Sequence, residues 1–94
     1  MPASQGDRVT AILKANAQEI HLLGHGTYQG LKAHPAFGFP NPCILLDSGK
    51  TVWGCECWWG AEGLMMDHMR QRFPDAKVVE ADIDEARREA EAQA

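Results

Sequence analysis

The sequence predicts an α+β fold, in which a small, mostly antiparallel sheet has helices packed on one face. Three observations lead to this prediction. Short apolar segments bounded by glycine and proline fill the middle of the chain, which is typical of strands joined by turns. Segments nearer the two ends carry apolar residues at helical spacing. The 94 residues, 45% of them hydrophobic and 23% charged, suit one globular domain over residues 1–94.

The first predicted element is a helix over residues 4–15. Val9, Ile12 and Leu13 recur at the spacing that places them on one side of a helix. These three residues make a narrow apolar stripe, so we expect the helix to dock lightly on the rest of the domain.

Strands are predicted next. Residues 19–23 form a short apolar stretch, and Gly24 and Gly26 then interrupt the regular pattern. Residues 27–31 therefore either return as the second arm of a hairpin or continue the first strand past a bulge.

The segment 32–42 is predicted to be a loop. It contains three prolines, which argue against a helix and against a central strand. A loop of this length in a compact domain is usually functional or mobile. Because Phe37 and Phe39 lie within it, we expect the loop to fold back over an apolar surface beside the tryptophan-rich segment.

A β-hairpin is predicted after this loop, with a turn that contains Gly49. Its strands cover residues 43–46 and 51–58. The register decides where the thiols lie, because a shift of one residue moves a side chain to the other face. A two-residue loop places Cys43 on the opposite face from Cys55 and Cys57. A three-residue loop with a bulged glycine pairs Cys43 with Trp53 and gathers the three thiols on one face, and the Asp-x-Gly pattern favours this form.

The C-terminal part is predicted to contain a helix over residues 60–73, a strand over 76–80 and a last helix. Asp82 and Glu85 form a capping box at the start of this last helix. The last helix has no large apolar residue after Ile83, so we expect it either to fray or to pack on another subunit.

Charge and composition exclude several kinds of partner. The net charge of −4 and the lack of a Lys/Arg cluster argue against binding to DNA or RNA polymers. No apolar stretch approaches the ~18 residues of a membrane span, and the first residues are too polar for a signal peptide. Three cysteines, an odd number, do not suggest a disulfide framework. We therefore expect a cytoplasmic protein with reduced thiols and no membrane contact.

The three cysteines supply residue types found in metal sites and thiol enzymes. The histidines available as a further ligand are His21, His25 and His68. The Cys-x-Cys spacing of Cys55 and Cys57 is shorter than zinc sites usually have, so we predict no bound zinc and no cofactor. We expect the thiols to act as small buried hydrophobes. A small metal- or thiol-dependent enzyme that uses Cys43, Cys55, Cys57 and a histidine is the alternative.

Residues 51–60 contain all three tryptophans of the chain. Alternation along a strand sends Trp53 and Trp59 to one side and Trp58 to the other. A domain of this size does not easily bury both sets, so we expect at least one indole in a pocket or an interface. Aromatic rings stack on a base and cations meet phosphate. The candidate ligand-binding residues are Trp53, Trp58, Trp59, Tyr28, Lys32, Lys50 and Arg70.

The run from Phe39 to Gly60, FPNPCILLDSGKTVWGCECWWG, resembles a motif of small uncharacterised proteins of phages and prophages. A weaker likeness covers residues 24–30. The chain departs from the motif at Ala61, where the family has proline, so the start of the next helix is less sharply defined. The resemblance implies a phage-type accessory protein that binds a host component or a small signalling molecule, and it implies no catalytic residues.

The leading functional hypothesis is therefore a non-enzymatic binding protein. It binds a host protein, or it sequesters a small anionic, nucleotide-like ligand. We also expect a homo-oligomer, most simply a dimer, because the core is thin, large apolar side chains crowd one strand and the last helix is only weakly amphipathic.

Overall fold

The computed structural model describes residues 3–93, so residues 1, 2 and 94 of the predicted domain lie outside the described part. The strands are β1 (Arg8–Ala15), β2 (Glu19–Ala33), β3 (Pro40–Leu46), β4 (Thr51–Trp53), β5 (Trp58–Ala61) and β6 (Lys77–Glu80). The helices are α1 (Leu64–Arg72) and α2 (Ile83–Gln93), and a 3-10 turn covers Gly54–Glu56. The predicted class is confirmed: helices pack against a small, mostly antiparallel sheet.

The sheet is built around the long strand β2. The strand order is β4-β3-β2-β1-β5, with antiparallel pairing throughout this path. Strand β6 pairs in parallel with residues 19–22 of β2, whereas β3 pairs with β2 from Gly26 onwards. Strand β1 occupies one edge of β2. Strands β3 and β6 therefore both lie along the opposite edge, with β6 beside the first residues of β2 and β3 beside the later ones.

The first element is a strand, and the helix predicted over residues 4–15 is wrong. A short turn links Ser4 and Asp7, and β1 follows it. Val9, Thr10, Ala11 and Ile12 are all buried, so both sides of this strand are covered. The apolar residues spaced like one side of a helix belong to a strand that is buried on both sides, so they do not alternate with polar residues.

Of the two possibilities for residues 27–31, the structure contains the continuous strand. The pairing of β1 with β2 shifts between Ala11 and Ile12, where the partner changes from Gly24 to Leu22. The glycines therefore mark a bulge within β2. Gly26 is required by packing, because a Cβ atom at this position would overlap the backbone carbonyl of Leu45.

The predicted strand over residues 51–58 is two strands separated by the 3-10 turn. The carboxylate of Glu56 accepts a hydrogen bond from the backbone N–H of Trp53 at 3.0 Å, which closes this turn. A Cβ atom on Gly54 would lie 2.8 Å from Cγ of Pro42, so only glycine fits there. Trp58 and Trp59 consequently belong to β5, which pairs with β1.

Two hydrophobic clusters stabilise the domain. The first contains Val9, Ala11, Tyr28, Ile44, Leu46, Val52, Cys57 and Ile83. The second contains Ile12, Ile20, Met66 and Met69. Helix α2 contributes Ile83 to the first cluster and α1 contributes its methionines to the second. Since Ala11 and Ile12 are neighbours in a strand, the helices pack on the two sides of β1 and not on a single side.

Helix α2 docks on its own chain through its first turns, which corrects the expectation that it frays; packing of its exposed outer face on another subunit stays a prediction. Ile83 is 2% exposed, and the Arg87 guanidinium pairs with Glu56. Asp82 caps the helix, because its carboxylate accepts the N–H of Asp84 at 2.9 Å. None of the helices in residues 3–93 has the length and apolar character of a membrane span.

Candidate functional site

The segment predicted as a loop is mostly a two-stranded projection, which we call the arm (residues 31–42). Leu31, Lys32 and Ala33 at the end of β2 pair with the start of β3. The connecting turn is closed by two backbone hydrogen bonds, from His34 N to Phe39 O at 2.9 Å and from Gly38 N to His34 O at 2.7 Å. The arm therefore has a defined conformation without any partner.

The tip of the arm is apolar and exposed. At the tip, Phe37 is 59% exposed and Phe39 71%, and Leu31 at the base of the arm is 65% exposed. The expectation that the two phenylalanines fold back over an apolar surface is wrong, because the ribbon carries them past the hydrophobic core. The turn does lie beside the tryptophan-rich segment, since the His34 ring is 4.7 Å from the Trp53 ring.

A concave surface of about 550 Å³ lies between the arm, β4 and α2, and we call it the cleft. The side chains that give it chemical character are His34, Lys50, Trp53, Glu56, Asp84 and Arg87. The arm supplies the histidine, β4 the tryptophan and α2 the arginine, so three separate parts of the chain meet there. Lys50 and Trp53 are the two predicted ligand-binding residues at this surface.

The aromatic part of the cleft is held in place by stacking. The His34 ring lies between Phe37, at 4.5 Å between centroids, and Trp53. The backbone N–H of Ala36 donates to Nδ1 of His34 at 3.0 Å. These contacts fix the histidine ring against the half-buried indole of Trp53.

The charged part of the cleft is paired. Arg87 donates to both carboxylate oxygens of Glu56 at 2.7 Å and also to the backbone oxygen of Thr51 at 3.0 Å. Lys50 lies 2.9 Å from a carboxylate oxygen of Asp82 and 3.0 Å from one of Asp84. The hydrogen bonds that Lys50 donates to these carboxylates raise its pKa, and the hydrogen bonds that Arg87 donates to Glu56 raise the pKa of Arg87. Both cations therefore stay charged at neutral pH.

The other predicted ligand-binding residues lie elsewhere. Tyr28 and Trp59 stack on each other, at 5.0 Å between centroids, beside the first hydrophobic cluster. Trp58 is 56% exposed, and the Arg72 guanidinium lies 5.7 Å from its ring centroid. Lys32 is exposed on the arm, and Arg70 is exposed on α1 with its nearest carboxylate, on Asp67, at 3.8 Å. The seven residues therefore do not form a single site.

The cysteines follow the predicted register but do not converge. Cys43 pairs with Trp53, as the three-residue loop requires. The 3-10 turn then ends the strand, so Cys55 is exposed and Cys57 is buried. Within residues 3–93, no three side chains of His, Cys, Asp or Glu lie together as metal ligands.

Burial governs the chemistry of the two inner thiols. It raises the pKa of Cys57 to about 12, with smaller contributions from Glu56 and Cys55. The Cys57 thiol donates to the backbone oxygen of Trp53 at 3.4 Å. Burial also raises the pKa of Cys43. Both groups are protonated at neutral pH, which is the inert form of a thiol.

Four of the six side chains named for the cleft were not predicted from the sequence: His34, Glu56, Asp84 and Arg87. His34 lies in a segment whose turn geometry was not predicted. Glu56 and Arg87 are 31 positions apart, and no local pattern signals their pairing. A signal for the break at Gly54 does exist, because glycine within a predicted strand is typical of a bulge or an interruption.

Comparisons with known proteins give no relatives. No family model, no curated protein and no solved structure matches the chain.

Proposed function

We propose that this chain is a non-enzymatic binding protein that engages a protein partner through the tip of the arm. The observation that carries the proposal is the exposure of Leu31, Phe37 and Phe39 on one structured projection. Burying one such side chain is worth ~1.5–3 kcal/mol. Folding does not recover this free energy, whereas association with a partner does. Apolar surface of this kind marks interaction sites on small proteins.

The arm is suited to association because its conformation is already set. The two backbone hydrogen bonds of its turn and its pairing with β3 lower the entropy cost of ordering on binding. Lys32 is the one charged residue among positions 31–42. This composition suits an apolar groove with a carboxylate at its rim.

The resemblance of residues 39–60 to small phage and prophage proteins supports a host protein as the partner, and the cytoplasm as the place where the two meet. The thiol-enzyme alternative is less well supported, because a nucleophilic cysteine needs a lowered pKa and the pKa values of Cys43 and Cys57 are raised.

Sequestration of a small ligand is a second candidate function. One specific observation favours it. Trp53 and Lys50, two of the residues predicted from the sequence to bind a ligand, border the same cleft. The turn of the arm borders this cleft, but Leu31 and Phe39 do not line it, so variants of those two residues test the arm separately.

The proposal is tested by site-specific photo-crosslinking in bacterial cell extract. A photoreactive phenylalanine analogue replaces Phe39 in one protein and Val78, a 45% exposed residue of β6, in the control. We expect the first protein to capture one bacterial protein that the control does not capture. That partner is then purified, and its affinity for the unmodified chain is measured. Equal capture at both positions, or capture of a second copy of the chain alone, would contradict a host-protein partner.

A further inference from the structure

We infer that the cleft binds a flat heteroaromatic ring with hydrogen-bond acceptors on its edge, as in the base of a nucleoside. This inference rests on the second proposed function and names its ligand class. The arm contributes His34, Pro35 and Ala36 to the cleft, whereas Leu31 and Phe39, the two residues changed to test the arm, do not line it.

The size and the walls of the cleft suit a ring. Its volume of about 550 Å³ falls within the range of small-molecule sites, ~300–1,000 Å³. Trp53 is half-buried, so part of its indole faces the open space. The neighbouring His34 ring is fixed by Phe37 and by the N–H of Ala36. The two rings are tilted by 55° to each other, so a planar ligand stacks on the part of the indole that His34 leaves exposed, without ordering new side chains.

The charges of the cleft favour an uncharged ligand over a polyphosphate. Lys50 and Arg87 are balanced by Glu56 and Asp84 at the same surface. Each cation already contacts carboxylate oxygens at 3.0 Å or less. A triphosphate would have to displace these carboxylates, and the net charge of −4 opposes its approach. For this site we therefore expect an uncharged ligand in place of the anionic ligand that the sequence suggested.

The Nη1 group of Arg87 is a donor in the cleft that remains for the edge of the ring. Nε and Nη2 of Arg87 are used by Glu56 and Thr51. The recorded contact of Nη1 is to a carboxylate oxygen of Asp84 at 3.7 Å, which is too long for a hydrogen bond. Asp84 lines the cleft, so Nη1 lies on that side of the guanidinium. It is placed to donate to a ring nitrogen or a carbonyl oxygen of a base.

The test is a titration followed by two-dimensional amide NMR, which reports on each residue of a 10.4 kDa chain. The probes are the four common ribonucleosides, their 5′-triphosphates and p-cresol, an aromatic ring without acceptor atoms in the ring. We expect at least one nucleoside to shift the Trp53 indole signal, and to bind at least ~10-fold more tightly than its triphosphate or p-cresol.

Two variants and one control locate the site. Trp53→Leu removes the stacking surface, and Ala36→Glu fills the cleft from an exposed position without touching the core. Each is expected to weaken nucleoside binding at least ~10-fold, whereas Trp58→Leu on β5 leaves it unchanged. If Trp53→Leu does not fold, Ala36→Glu decides the question. Absence of binding by all four nucleosides, tighter binding of the triphosphate or of p-cresol, or equal binding by Ala36→Glu overturns the inference. The Leu31→Ser/Phe39→Ser protein should bind the nucleoside as the wild type does. This variant therefore distinguishes failure of the nucleoside inference from failure of the arm proposal.

Discussion

At the scale of single residues, the three tryptophans have three different environments although they lie within seven positions. Trp59 stacks on Tyr28 beside the core, Trp53 contacts His34 at the cleft, and Trp58 is 56% exposed. The dense cluster in the sequence is therefore neither one binding surface nor one core. The 3-10 turn that separates Trp53 from the other two produces this division.

The stability of single-tryptophan variants tests this assignment. For the single chain, measured in the Leu64→Ser background that removes the proposed dimer contact, we expect Trp58→Ala to change the free energy of unfolding by less than ~1 kcal/mol, because the ring is mostly in water. Trp59→Ala should cost about 3 kcal/mol, since it removes the stack on Tyr28 and packing against the core. Urea denaturation followed by circular dichroism measures both values. Equal losses for the two variants would place Trp58 in the core.

The ion pair between Lys50 and Asp82 predicts a specific acid dependence of stability. The hydrogen bond that Lys50 donates lowers the pKa of Asp82 in the folded state, and the backbone N–H of Asp84 makes a smaller contribution in the same direction. A carboxyl whose pKa is lower when folded stabilises the protein above its unfolded pKa of ~3.9, and this stability is lost as the pH falls further.

We therefore expect the melting temperature to fall less between pH 7 and pH 3 for Asp82→Asn than for the wild type. The control is Asp75→Asn, since Asp75 forms no ion pair with any residue of the described range, and this protein should behave as the wild type does. Scanning calorimetry across that pH range gives the curves. Identical curves for Asp82→Asn and the wild type would show that the pair contributes nothing.

At the scale of elements, local chemistry predicted the turns and caps, and long-range packing decided the rest. The three-residue loop with Gly49 in a left-handed conformation was predicted from Asp-x-Gly, and the Asp82 cap from the capping-box pattern of Asp82 and Glu85, of which the structure contains the Asp82 half. Strand β1 was not predictable in the same way, because burial on both sides removes the alternation that identifies a strand. The cleft was only half predictable, because Arg87 and Glu56 meet through tertiary packing.

The docking of α2 on its own chain is tested by Ile83→Ala. This side chain is 2% exposed and is the residue that α2 contributes to the first hydrophobic cluster. We expect a loss of ~2–5 kcal/mol in the free energy of unfolding. Ala92→Ser, an exposed change on the same helix, is the control and should have little effect. If Ile83→Ala is as stable as the control, α2 does not pack as described.

At the scale of the whole molecule, the described residues 3–93 leave apolar side chains exposed in more than one place. The arm is one of these places, and we assign it to a protein partner. Trp58, at 56% exposure, and Leu64, at 72%, lie on and just after the edge strand β5. An unpaired strand edge flanked by apolar side chains is suited to two-fold pairing of identical chains.

The expected homodimer is therefore predicted to form at β5. Light scattering at micromolar concentration should give twice the monomer mass of 10.4 kDa. The Leu64→Ser/Trp58→Lys protein should give the monomer mass, whereas Leu31→Ser/Phe39→Ser should remain dimeric. A wild-type protein of monomer mass would contradict the prediction, and a monomer produced by the arm variant would move the interface to the arm.

The most direct test of the central claim, that the arm is a preformed binding surface outside the core, is a paired measurement on the Leu31→Ser/Phe39→Ser protein. Its free energy of unfolding should stay within ~0.5 kcal/mol of the wild type, because both side chains are in water. Its affinity for the partner captured at position 39 should fall at least ~100-fold, because the apolar anchors of the interface are gone. Val78→Ser is the matched control and should change neither quantity. A variant that loses several kcal/mol of stability, or one that binds the partner as the wild type does, would contradict the claim.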